Sequence, residues 1–77
     1  MREFEEMYFL YAKTPGQSRF RPVDWRKGAQ VFNIIHASMF TEEQMRTLQS
    51  VDLAHPDNAH ITFEFRKVPG WGAKEQQ

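Results

Sequence analysis

Cysteine is absent from the 77-residue chain, which excludes a disulfide scaffold, a thiolate zinc site and a cysteine nucleophile together. Net charge is missing as well. Ten Lys and Arg offset ten Asp and Glu, so the domain lacks the overall basic excess of a dedicated nucleic-acid binder. No apolar run approaches the roughly 18 residues of a membrane span. The start, with Glu3, Glu5 and Glu6, has neither the basic segment nor the apolar stretch of a secretory signal. No membrane contact is expected, and cytoplasmic residence is the default. Glycine is scarce: Gly16 and Gly28 stand alone in turn-like surroundings, so there is no glycine-rich phosphate loop. Ser18, Ser38 and Ser50 lack the glycines of a nucleophile elbow.

A chain this short buries roughly 60% of the surface its unfolded form exposes, so its core has little to spare. A deep pocket of about 300 Å³ would remove packing unless a second copy or a partner supplied the missing wall. An enzyme is therefore not expected, and neither are a cofactor, a metal or a small-molecule substrate. Aromatic packing has to carry the fold, with seven Phe, two Trp and two Tyr, each able to bury about 150–250 Å².

Residues 5–13 are apolar on both alternating sets, Met7, Phe9 and Tyr11 against Tyr8, Leu10 and Ala12, which predicts a strand inside a sheet. Thr14-Pro15-Gly16-Gln17-Ser18 is turn chemistry. Residues 19–25 form a second strand, irregular or at an edge because Pro22 cannot donate to a ladder. Arg26-Lys27-Gly28 turns the chain again. The β-branched run from Gln30 to Ser38 predicts a third strand. Thr41-Glu42-Glu43-Gln44 has the spacing of a capping box and opens a helix that shows Met45, Leu48 and Val51 inward and finishes near Leu53, before Pro56. Residues 60–68 alternate Ile61, Phe63 and Phe65 with Thr62, Glu64 and Arg66, the mark of a strand with one buried and one wet face.

The sum is an α+β domain over residues 1–69, β-β-β-α-β, with a four-stranded, mostly antiparallel sheet and one helix on one face. A flexible tail is expected at 70–77. The two-faced first strand favours the order 4-1-2-3, and a helical crossover predicts that the last strand runs parallel to its neighbour. One helix covers one face only. The other is expected to carry aromatics shielded by the tail and Trp71 or used for contact.

Charge is distributed unevenly. Lys13, Arg19, Arg21, Arg26 and Lys27 face only Asp24 over residues 13–28, whereas residues 29–39 carry no formal charge. Arg19, Arg21, Arg26 and Lys27 with Trp25 combine cations and a stacking ring in one hairpin, and are the candidate macromolecule-binding residues. The same arginines would also protect an edge strand from aggregation. His55, Asp57 and His60 lie close in sequence, but a metal site needs three or four converging ligands, so they read as solvated loop residues. If His36 faces inward, it is expected to donate to a backbone carbonyl.

Tyr11-Ala12-Lys13, Arg19-Phe20-Arg21, Ala37-Ser38-Met39-Phe40-Thr41-Glu42-Glu43 and Thr62-Phe63-Glu64-Phe65-Arg66-Lys67-Val68 give the chain a pattern that resembles small uncharacterised proteins of bacterial phages and conjugative elements. The resemblance implies an intracellular accessory protein that acts by binding; it carries over no residue role. The expected function is protein binding, self-association included, through an open aromatic sheet face and the basic hairpin. The alternative is single-stranded nucleic-acid binding by the same residues.

Overall fold

The computed structural model describes residues 6–69; the expected tail at 70–77 and Trp71 lie outside the described residues. The elements are β1 (Met7–Lys13), β2 (Arg21–Asp24), β3 (Ala29–Gln30), β4 (Met39–Thr41), α1 (Glu42–Ser50) and β5 (Thr62–Lys67), with 3-10 turns at Ile34–His36 and Pro56–Asn58. The protein is α+β; the described residues hold one α-helix and an antiparallel sheet of five strands rather than four.

The strand apolar on both sides is the centre of the sheet. One edge of β1 pairs with β5 from Tyr8 to Lys13. Its other edge is shared, β4 taking Met7 to Phe9 and β2 taking Tyr11 and Ala12. Omitting β4, the order β5-β1-β2-β3 matches the expected 4-1-2-3. The direction of the last strand does not match: β5 is antiparallel to β1.

The cause is a reversal hidden in the predicted third strand. Only Ala29 and Gln30 of that run form a strand. The amide of Val31 donates to the Pro22 carbonyl at 2.8 Å, but proline has no N–H to return to Val31, so the ladder stops there. Asn33 then caps a 3-10 turn by accepting from the Ile35 amide. The chain comes back as β4, antiparallel to β1. β4, α1 and β5 thus form a crossover unit whose two strands run the same way on opposite edges of β1.

Cross-strand partners share a face. The α1 face holds Leu10, Ala12, Val23, Phe40 and Leu48, with Trp25, Leu53, Ile61, Phe63 and Phe65 packed around them. Phe40 and Phe65 meet edge to face at 5.9 Å. The helix ends at Ser50, short of Leu53, and Val51 is 60% exposed rather than inward. Leu53 takes its place against the core after donating its amide to the Leu48 carbonyl.

The capping box is complete. The Gln44 amide donates to Thr41 Oγ1 at 3.2 Å, and the Thr41 amide to Gln44 Oε1 at 2.9 Å. Replacing Thr41 by Ala orphans a donor at the start of a nine-residue helix; the expected loss is about 1 kcal/mol of stability, measured as a lowered urea midpoint.

Candidate functional site

The face away from α1 carries Met7, Phe9, Tyr11 and Lys13 of β1, joined across the ladders by Pro22, Met39, Thr62, Glu64 and Arg66. It is not bare. Phe9 and Pro22 are buried. The Arg66 guanidinium lies 4.1 Å from the Tyr11 ring centroid and 5.5 Å from that of Phe20, and Lys13 Nζ lies 5.3 Å from the Phe20 ring. Cations from the chain itself roof these rings through favourable cation–π contacts, and Glu64 holds Arg66 in place at 3.2 Å.

The uncovered apolar surface lies elsewhere, on the failed third strand. Residues 31–38 form a strap across β2. The Val31 amide bonds the Pro22 carbonyl and the Ser38 amide bonds the Val23 carbonyl; successive strand carbonyls point to opposite edges, so the segment passes from the outer edge of β2 to the inner one. Ser38 Oγ also accepts from the Trp25 amide at 2.8 Å. Between these anchors Phe32 is 86%, Ile35 76% and Ile34 42% exposed, and Met39, at the start of β4, is 42% exposed. The Arg21 guanidinium stacks over Phe32 at 4.9 Å. His36 does not face inward, the condition on which a backbone carbonyl partner was expected; it is exposed on the same strap.

The basic hairpin does not form one patch. Arg21 pairs with Ala12 and so lies on the α1 face at its margin, next to Phe32. Arg26 and Lys27 are exposed in the turn that follows β2. That turn is closed by Gly28 at φ 66° and by its amide donating to the Asp24 carbonyl at 2.9 Å. At about 3.3 Å per residue, the length of β2 puts on the order of 10 Å between Arg21 and that tip. Arg19 is exposed before β2. Trp25 is half-buried and packs on the core, so at least part of its surface supports the fold. Of the five residues singled out by composition, only Arg21 touches the exposed apolar surface. Phe32, Ile34 and Ile35 were missed as surface residues because their composition reads as core.

A cleft of about 340 Å³ opens beside Trp25 between the β2–β3 turn and β5, lined by Val23, Gln30, Asn58, Ile61 and Phe63 among others. It is as large as the void the chain length argues against, yet among the described residues no acidic, basic or histidine side chain lines it. Among the described residues no group of three His, Asp or Glu could hold a metal. His55 Nδ1 accepts from the Asp57 amide and lies 3.6 Å from the Asp57 carboxylate. That is a local turn contact. At the end of the sheet, the Lys67 ammonium and the Tyr8 hydroxyl both bond the Glu6 carboxylate, at 3.0 and 3.1 Å. These bonds hold Glu6 below its ordinary pKa, Lys67 first and Tyr8 second. Desolvation, then the bond to Glu6, raises the Tyr8 phenol, and the Glu6 bond raises Lys67. No helix among the described residues is long and apolar enough to cross a membrane.

Comparison with protein-family models, curated proteins and solved structures finds no match to this chain.

Proposed function

We propose that the chain is a non-catalytic protein-binding module whose contact surface is the strap, with Phe32 and Ile35 as anchors, Ile34 between them in the chain, and Arg21 as a charged rim. One observation carries the reading: the fold closes its core while leaving Phe32 and Ile35 of an uncharged segment mostly in water. Exposed apolar clusters of this kind mark interaction sites in small soluble domains. Interface energy also concentrates in a few large side chains ringed by polar ones.

Nucleic-acid binding is less well supported, because the cations that would neutralise phosphates are spread along β2 and both its flanks rather than gathered in one groove. A photo-crosslinking residue placed at position 35 and activated in the cells that make the protein tests the proposal. The expected product is a discrete protein adduct that the same label at Arg46, on the exposed side of α1, does not give. Adducts to nucleic acid alone, or equal labelling from both positions, would overturn it.

A further inference from the structure

The strap is not the only unsatisfied surface. Among the described residues β5 is paired with β1 alone, so the other edge of a six-residue strand offers backbone donors and acceptors to a further strand. We propose that this edge pairs, antiparallel and two-fold symmetric, with the same edge of a second copy of the chain, in the register centred on Phe65.

The register follows from the hydrogen-bond phase. The Val68 amide donates to the Met7 carbonyl at 2.8 Å, and antiparallel ladders alternate bonded and non-bonded pairs. Thr62, Glu64 and Arg66 therefore turn their backbone groups toward β1, and Phe63, Phe65 and Lys67 turn theirs outward. Only outward residues can meet outward residues. A two-fold axis then passes through a residue of the strand, and within Thr62–Lys67 only axes at Glu64 and Phe65 keep five residues of each copy paired, against three or fewer for the others. An axis at Glu64 sets two carboxylates directly opposite each other, and one at Arg66 sets two guanidiniums opposite; like charges so placed destabilise a pair of strands.

The axis at Phe65 sets Glu64 of each copy against Arg66 of the other. It does so in a non-bonded pair, where opposed Cα atoms come within about 4.5 Å and side chains are closest. Phe65 exchanges both its backbone bonds with Phe65 of the second copy, and Phe63 does so with Lys67. Each half-buried Phe65, already edge to face with Phe40, gains the ring of its counterpart on the α1 face. Each Glu64 keeps its own Arg66 at 3.2 Å and adds a second. The contact is isologous, so it closes at two copies and does not propagate into a fibre.

The proposal is independent of the strap, whose substitutions should leave the mass in solution unchanged. Light scattering and sedimentation of the full chain over rising concentration should show a species of twice 9.2 kDa. Glu64→Arg should weaken its formation by roughly tenfold to a hundredfold, and adding Arg66→Glu should restore it. In the unmodified protein, amide exchange at Phe63, Phe65 and Lys67 should slow as concentration rises, while Glu64 and Arg66 stay protected throughout. A chain that remains monomeric at every concentration overturns the proposal. So does a dimer in which those three amides stay open, or one that the charge swap fails to rescue.

Discussion

Replacing Leu10 by Ala is expected to remove about 2–5 kcal/mol of stability, a large share of what holds the chain folded. Among the described residues Leu10 is the one large side chain with no solvent exposure. It lies at the middle of β1, opposite Phe65 and in the cluster with Ala12, Val23, Phe40 and Leu48. Its neighbours belong to three strands and the helix, so no single element can shift to close the void. A domain of this size has on the order of 4–12 kcal/mol of stability in all. A loss of about 3 kcal/mol lowers Tm by roughly 12–24 °C, read directly by calorimetry. Val51→Ala is the control: it shares the apolar character, but the residue is 60% exposed, and the expected change stays within about 0.5 kcal/mol.

The second large effect is on binding. Changing Phe32 and Ile35 together to Ser should weaken partner capture by roughly 30-fold or more, the equivalent of about 2 kcal/mol of interface energy. The reason is geometric. Neither side chain belongs to the core cluster and both are mostly in water, so most of their apolar area is available to another molecule. Arg21→Ala should cost less, since its guanidinium is a partner to the Phe32 face rather than a buried anchor. Titration of the crosslinked partner, once isolated, against the two variants gives the comparison; equal affinity for the double variant and the parent would remove the strap from the account.

What could be read from the chain alone was whatever local chemistry decides. Thr41 and Gln44 declare the start of α1 because a reciprocal cap needs only three residues of spacing, and the two apolar sets of β1 declare a central strand because both of its faces are covered. Gly16 and Gly28 do hold the positive φ that their turns demand, 92° and 66°.

The strap was misread because Val31, Phe32, Ile34 and Ile35 have strand composition, while what breaks the strand is a missing donor on Pro22 of a neighbouring strand. Two signals for it were present: Pro22 in the strand that would pair with this run, and Asn33 inside it, a residue that favours local turns over ladders. Missing that one reversal was enough to send β5 the wrong way. The basic hairpin was legible as composition but not as a site, since closeness along the chain put Arg21 and Arg26 at opposite ends of β2. The roofing of Tyr11 and Phe20 by Arg66 joins residues far apart in sequence. The β1–β5 register brings Arg66 to Tyr11, and the chain entering β2 brings Phe20 to the same guanidinium.

The claim on which the rest stands is that Phe32 and Ile35 contribute to contact and not to folding. Urea unfolding of the Phe32→Ser, Ile35→Ser chain measures it most directly. The account predicts a midpoint and slope within error of the parent, a change of no more than about 0.5 kcal/mol. A fall of about 2 kcal/mol or more, the signature of lost core packing, would place these side chains inside the protein and contradict it.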